Sequence, residues 1–319
     1  AVKSLFPTLL FTESCMFFVL AQMALLIACG SVWQYIAPKH IPTSSHRRAL
    51  TDLVFYILLP AMVLDVIWNA SLDKSSLQIS FLAVCGLTVG VSLMWLVAKT
   101  FKTTKKQTGA LLLAATFPNA TYLGLPVLDQ VLGPWSNATV LQYDLFACTP
   151  ILLSLGILMA RHYGSHNVEA HPLKEILKVP PLWAVTFAIS FNLLGVQQPE
   201  IVHSTLSILA GGVVPLMLIA LGMSIRWNSL KLKLLTLILP VSIISLLLVP
   251  TAVYFISGFI NLAAPLAQAA VLIAAMPTMV FGIVICERYQ LDSELYAAAV
   301  TLSTVCSLLT LPLWFSFLS

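Results

Sequence analysis

The sequence predicts an all-α polytopic membrane protein with ten transmembrane helices in two inverted five-helix repeats, in which helices four and nine are broken. Three observations predict this fold class. Hydrophobic residues make up 59% of the 319 residues and charged residues only 9%, whereas soluble domains carry roughly 25% charged residues. Apolar stretches long enough to span a bilayer recur along the chain. The second half of the chain also repeats features of the first.

Ten apolar stretches alternate with short polar connections. Lipid offers no partner to an unpaired backbone group, so each stretch is expected to be helical. The first stretch is too long for a cleavable signal peptide and lacks a small-residue cleavage site, so it is interpreted as the first span. The predicted spans are residues 12–36, 49–68, 77–98, 107–130, 137–160, 179–196, 204–225, 232–260, 265–286 and 294–317.

The basic residues are distributed unevenly between the two faces of the predicted bundle. Fourteen of the 16 fall in connections on one face, and only Lys3 and Lys74 fall on the other. Cytoplasmic connections of membrane proteins carry an excess of lysine and arginine. The sequence therefore predicts a multi-pass protein of the cell (inner) membrane with both termini on the non-cytoplasmic side.

An internal repeat relates the two halves of the chain. AVLIAAMPTMVFGIVICERY aligns with LLLAATFPNATYLGLPVLDQ at an offset of 159, which places Pro118 on Pro277, and a second alignment places Pro60 on Pro215 at an offset of 155. Each half holds five spans, an odd number, so the second copy enters the membrane in the opposite orientation. The predicted units are a first repeat over 1–163, a cytoplasmic connecting loop over 164–178 and a second repeat over 179–319.

The stretch TFPNATYLGLP, residues 116–126, interrupts span four with two prolines and a glycine. A proline inside a helix costs roughly 3 kcal/mol, and the break recurs at Pro277 in span nine. Inverted symmetry is expected to bring the two breaks together near the bilayer midplane, where freed backbone groups must face protein or a hydrated cavity. The N-terminal ends of half-helices attract anions. The breaks therefore predict a binding site for a small carboxylate.

Four stretches of the chain carry a likeness to one known family. They are FYILLPAMVL, FPNATYLGLPVLDQVLG, SILAGGVVPLMLIALGMSI and AAMPTMVFGIVICERYQLDSELYAAAVTLSTVCSLLTLPLW. In these stretches the chain resembles the auxin efflux carrier family, which includes bacterial malonate-type carriers and plant auxin exporters, and the likeness extends over nearly the whole chain. The long hydrophilic loop of many plant exporters is missing, which favours the compact bacterial type.

The resemblance implies a scaffold, a mobile transport unit, an elevator-type movement around crossed helices four and nine, and an organic anion as cargo. The chain departs from the family pattern at position 121, where glycine is frequent, and around the second proline, where Met276, Met279, Val280 and Phe281 are apolar. The predicted substrate-binding residues are Pro118, Asn119, Thr121, Gly124, Pro126, Pro277, Thr278 and Gln22.

Polar residues inside the spans indicate a function or a polar partner, since placing a charged side chain at the centre of a spanning helix costs at least about 2.5 kcal/mol. Asp144 lies about two turns into span five. It is a candidate for proton coupling, or it is capped by polar neighbours such as Gln142 and Asn119. Gln22 in span one is interpreted either as a cargo contact or as a hydrogen bond between helices.

The predicted function is secondary active transport of a small organic anion, such as malonate, malate or an auxin-like acid, by elevator-type alternating access. Two alternatives stay open: a sodium-coupled organic anion symporter of the bile-acid type, and a non-transporting membrane ligand sensor. An enzyme is not expected, because the second GxGD element of an aspartyl intramembrane protease and the HExxH motif are absent.

The expected partners are the small organic anion and membrane lipid, with no nucleic acid. No cofactor or metal centre is expected beyond a coupling proton or sodium ion. The family resemblance also admits a homodimer.

Overall fold

The structure, a computed structural model, describes residues 6–38, 41–70, 72–164, 177–225 and 232–319. Within these ranges the regular elements are helices, together with one isolated β-bridge. In chain order the helices are α1 (Phe6–Ile36), α2 (Thr43–Trp68), α3 (Lys74–Thr100), α4a (Lys105–Thr116), α4b (Leu125–Leu132), α5 (Ser136–Tyr163), α6 (Pro180–Leu193), α7 (Glu200–Ser224), α8 (Leu234–Phe259), α9a (Ala264–Ala274), α9b (Gly282–Arg288) and α10 (Ser293–Leu318).

Six described helices, α2, α3, α5, α7, α8 and α10, are long and apolar enough to cross a membrane. The all-helical prediction is confirmed for the described residues, and the predicted spans four and nine are each divided at the expected proline. The arrangement of ten spans as two inverted repeats stays a prediction. Residues 165–176 of the predicted connecting loop lie outside the described residues.

Several prolines are absorbed by π-helical turns that keep the helix continuous. Such turns precede Pro60, Pro150 and Pro250 and contain the residue four positions before each proline. That residue's carbonyl loses its usual amide donor, because proline has no N–H. In α8 the orphaned carbonyl of Leu246 accepts a hydrogen bond from the indole nitrogen of Trp314 at 2.8 Å. These prolines therefore bend or widen helices without breaking them.

Two helix starts in the first half of the chain are fixed by side-chain caps. The Asp73 carboxylate accepts a hydrogen bond from the amide of Ser75 at the start of α3, and the hydrogen bonds from Ser75 lower the pKa of Asp73. Thr104 and Gln107 form a reciprocal capping box at the start of α4a. Each cap satisfies amides that have no partner within their helix.

The helices pack as two groups. In the first group α1 packs along α7, while α6 packs along the second half of α2, which also contacts α7. In the second group α3 packs on α4a and α8, α8 packs on α9a and α10, and α5 contacts α3, α4b and α9a. The groups meet where α1 contacts α4b and where α7 contacts the turn Ala120–Gly124. We call these sets the first group and the second group.

A close approach of two glycines holds α1 against α7. A Cβ added to Gly30 would lie 2.0 Å from the carbonyl oxygen of Ile219, and one added to Gly222 would lie 2.0 Å from that of Ile27. The side-chain amide of Gln34 then donates to the carbonyl of Gly222 at 3.0 Å. Small residues permit backbone-to-backbone packing of this kind between membrane helices.

The end of α2 is tied to α6 and α7. Asn192 donates to the carbonyls of Trp68 at 2.7 Å and Ala70 at 2.8 Å, which have no partner further along α2. The imidazole of His203 lies 2.7 Å from the Asp65 carboxylate, which also accepts from Gln198 at 3.2 Å. These bonds join three helices of the first group at one end.

Candidate functional site

The break between α4a and α4b meets the break between α9a and α9b, and the two pair with each other. The amide of Asn119 donates to the carbonyl of Pro277 at 2.7 Å, and the amide of Met279 donates to the carbonyl of Phe117 at 3.0 Å. Pro118 and Thr278 face each other in an antiparallel bridge. Backbone groups freed from a helix need a protein partner where water is absent. We call residues 117–119 and 276–279 the crossing.

Thr278 replaces a hydrogen bond that α4a lacks because of Pro118. Pro118 has no amide, so the carbonyl of Ala114 loses its intrahelical donor. The Thr278 hydroxyl donates to that carbonyl at 2.9 Å, and the Thr278 amide donates to Ser303 Oγ at 3.1 Å. The side chain is fully buried. Thr278 therefore has a structural task in this conformation, because its hydroxyl is already engaged.

Replacing Thr278 by valine is expected to lower the free energy of unfolding by about 1 to 3 kcal/mol, because the carbonyl of Ala114 is left buried without a donor. The measurement is the thermal unfolding midpoint of the purified protein in detergent. Thr116→Val is the matched control, since the Thr116 hydroxyl bonds only to Leu112 within its own helix. Equal losses in the two variants would contradict the bond across the crossing as the cause.

Asn119, the repeat counterpart of Thr278, keeps its side chain unengaged. Its backbone is bonded on both sides, since its amide donates to Pro277 and its carbonyl accepts from Gly124 at 3.0 Å. The side chain is only 1% exposed, yet neither its amide nitrogen nor its oxygen has a hydrogen-bond partner among the residues that the structure describes. An unpaired buried amide is costly and in native proteins calls for an explanation such as a ligand or an ordered water. Asn119 thus supplies a free donor and a free acceptor at the crossing.

Gly124 and Pro126 shape the chain immediately after Asn119. The turn Ala120–Gly124 is π-helical, and Pro126 occupies the first turn of α4b, where no amide is required. A Cβ on Gly124 would lie 3.3 Å from Met276 Cγ, so a small residue lets the turn pack against α9. The two residues therefore position the start of α4b beside the crossing.

Asp144 is buried with two hydroxyl donors. Thr121 donates to one carboxylate oxygen, and Thr149 donates to the other at 3.0 Å. Polar neighbours therefore cap this carboxylate, as one of the two sequence-based alternatives expected, but they are Thr121 and Thr149 and not Gln142 and Asn119. The π-helical turn Asp144–Cys148, which precedes Pro150, brings residues five apart onto one face, whereas α-helical spacing would not.

Among the described residues Asp144 forms no ion pair with a lysine, arginine or histidine. A buried carboxylate without a cationic partner is expensive in its ionised form. Because the Thr121 hydroxyl donates to Asp144, Thr121 links this carboxylate to the turn that follows Asn119.

Gln22 lies apart from these contacts. Its side chain is exposed on α1, in the first group, and a role in binding stays a prediction.

Two residues that bind predicted site residues were missed by sequence reasoning. Thr149 donates a hydrogen bond to Asp144, and Ser303 accepts one from the Thr278 amide. The repeat offset of 159 could have identified Ser303, because it places Ser303 on Asp144. Within the described part of the chain, no group of three His, Cys, Asp or Glu side chains is arranged to hold a metal ion.

The chain is similar to known membrane proteins over most of its length. The sequence profile of a membrane transport protein family matches residues 19–315. A protein of Methanothermobacter thermautotrophicus is 28% identical over 267 residues, which cover 83% of this chain and 87% of the relative. One of Methanocaldococcus jannaschii is 28% identical over 276 residues, covering 84% and 89%. YfdV of Escherichia coli K12 is 24% identical over 280 residues, covering 85% and 88%.

All three relatives are described as uncharacterized transporters. The family match covers far more than half of the chain, and the apolar helices agree with a multi-pass membrane protein. The chain therefore belongs to the auxin efflux carrier family of membrane transport proteins.

Proposed function

We propose that the protein is a secondary active transporter of a small organic anion, a carboxylate such as malonate or malate, bound at the crossing. The observation that carries this proposal is the buried Asn119 amide, whose donor and acceptor have no partner in the described part of the chain. The amide nitrogen suits a carboxylate oxygen, and the helical segment that begins with the turn Ala120–Gly124, directly after Asn119, adds the partial positive charge of a helix N-terminus. Pro118, Gly124, Pro126 and Pro277 shape the backbone around this amide.

An elevator-type movement is supported by the packing. The crossing and Asp144 belong to the second group, whereas Gln22 and the glycine contact of α1 with α7 belong to the first. The turn Ala120–Gly124 lies where the two groups meet. In the proposed cycle the first group is the scaffold, and the second group carries the site past it.

The ten-span arrangement in two inverted repeats, 1–163 and 179–319, belongs to this proposal. The excess of basic residues on one face supports a cytoplasmic location for the 164–178 loop and for that face, with both termini on the opposite side of the cell membrane. A homodimer is compatible with these assignments.

Uptake by the purified protein in proteoliposomes tests the function. Vesicles loaded with unlabelled malonate or malate are expected to accumulate the labelled acid by counterflow, and vesicles without protein are not. Binding of the acid without counterflow would favour a ligand sensor and contradict the transport proposal. Dependence of uptake on an imposed proton or sodium gradient then identifies the coupling ion.

Asp144→Asn is expected to abolish stimulation of uptake by an inward proton gradient while counterflow persists. Asparagine keeps the size of the side chain and an acceptor for Thr121, but it cannot take up a proton. The measurement is labelled-acid uptake with and without the gradient. Asp65→Asn in the first group is the control and should retain the response. A normal proton response in Asp144→Asn would contradict proton coupling through this residue.

A further inference from the structure

Four lysines surround the connection between α3 and α4a. Lys99 lies in the last turn of α3, and Lys102 lies in the connection. Lys105 and Lys106 begin α4a. All four residues are exposed. Residues 99–106 contain no aspartate or glutamate, and none of the four lysines forms an ion pair with a residue that the structure describes. We call this set the lysine cluster.

The backbone of the connection gives these lysines a fixed spacing. The amide and the hydroxyl of Thr103 both donate to the carbonyl of Ala98, at 3.2 and 3.3 Å, and close the end of α3. The Thr103 hydroxyl also lies 2.8 Å from the hydroxyl of Thr108 on α4a. Lys102 has a φ of 50°, the left-handed conformation in which glycine commonly follows a helix. The lysines are therefore presented by an ordered turn between two helices.

Aromatic residues beside the lysine cluster indicate that it lies at the edge of the lipid. Between Leu77 and Leu96 the exposed positions of α3 carry no charged side chain, as expected of a helix face in contact with lipid. Trp95 is 46% exposed at the end of this face, and Phe101 is 51% exposed in the connection. Tryptophan is enriched at the level of the headgroups. Nζ of Lys99 lies 5.2 Å from the centroid of the Trp95 ring, so the cluster begins where the lipid-facing surface ends.

The lysine cluster is separate from the crossing. Helix α4a runs from Lys105 to Thr116 over 12 residues, which is about 18 Å at the usual rise per residue. An anion held by the lysines is therefore a different molecule from one bound beside Asn119. Lysine ammonium groups are compact charges that bind phosphate. At the level of the headgroups, the phosphate within reach is that of a phospholipid.

We propose that the lysine cluster binds the headgroups of anionic phospholipids through their phosphate groups. The charges are complementary, and clusters of four or more basic residues directly after a spanning helix are typical of anionic-lipid binding. A zwitterionic headgroup offers the same phosphate, but its cationic group offsets the attraction to the lysines. The proposal is independent of the transported solute and of the proposed function, because the cluster lies outside the site that they concern.

Thermal unfolding of the purified full-length protein in an uncharged detergent tests the lysine cluster without any transport assay. Dioleoyl phosphatidylglycerol added to the micelles is expected to raise the unfolding midpoint in a saturable manner relative to dioleoyl phosphatidylcholine at the same mole fraction, because a ligand of the folded state stabilises it. High salt should reduce this difference, since it screens exposed charges. Inorganic phosphate alone should not reproduce the stabilisation, since it has no acyl chains to hold it at the lipid edge.

Lys99→Gln is expected to raise the half-saturating mole fraction of phosphatidylglycerol about fivefold. Lys74→Gln is the matched control, since Lys74 is exposed at the opposite end of the same helix, and it should respond like the wild type. The double variant Lys105→Gln with Lys106→Gln tests the α4a side of the cluster and should give a shift of about 20-fold. Equal midpoints in the two lipids, or equal stabilisation by inorganic phosphate, would overturn the proposal. An unchanged half-saturating fraction in the double variant would overturn it as well.

Discussion

Asn119→Ala is expected to reduce transport of the organic anion to the level of protein-free vesicles while the protein stays folded. The side-chain amide makes no hydrogen bond to any residue that the structure describes, so its removal leaves none of them without a partner. Alanine even relieves the cost of burying an unpaired amide, about 1 to 3 kcal/mol. The unfolding midpoint should therefore be no lower than that of the wild type. The measurements are counterflow in proteoliposomes and thermal unfolding in detergent.

Asn137→Ala provides a reciprocal control for this experiment. Asn137 is also buried, but its amide nitrogen donates to the Asp129 carboxylate at 2.8 Å. Its removal should lower the unfolding midpoint and leave the half-saturating concentration of the acid unchanged. Wild-type counterflow by Asn119→Ala would remove Asn119 from the binding site, and with it the observation on which the proposed function depends.

Gly222→Ala is expected to give the largest loss of stability, about 3 kcal/mol, because overpacking against rigid groups is costly. The added methyl group would lie 2.0 Å from the carbonyl oxygen of Ile27, and backbone cannot rotate away as a flexible side chain can. The helices α1 and α7 must separate, and the first group loses its main contact. The checks are the unfolding midpoint in detergent and the yield of monodisperse protein.

Gly211→Ala in the same helix isolates this effect. A Cβ at Gly211 would meet no atom within 4 Å, so there is no clash. Alanine is favoured over glycine in helices by up to about 1 kcal/mol, so the control should be neutral or slightly more stable. Similar losses in both variants would show that the helix tolerates no alanine for reasons other than the contact with α1.

The sequence was sufficient to locate the helices and the two breaks. Long apolar runs determine the helices because lipid allows no other backbone arrangement for a single segment. The matched prolines Pro118 and Pro277 located the breaks, and the structure brings these breaks into direct contact. Six of the predicted spans correspond to helices that meet the length and composition of a membrane span.

The contacts of individual polar side chains were less predictable. The partner of Asp144 was missed because Pro150 changes the local repeat from four residues to five, so Thr149 rather than a neighbour at α-helical spacing reaches the carboxylate. The exposure of Gln22 was not predictable, because a single polar residue in an apolar helix does not show which face packs. The engagement of Thr278 with Ala114 depends on the partner helix and has no local signal.

The pairing at the crossing also constrains biosynthesis. When a ribosome has delivered only the first half of the chain, the Asn119 amide, the Phe117 carbonyl and the Ala114 carbonyl have no partners, because Pro277, Met279 and Thr278 have not yet been made. The segment that forms α4a and α4b therefore cannot reach its final arrangement before the second half of the chain has been synthesised. It must be held by the insertion machinery, or remain near water, until the other half arrives.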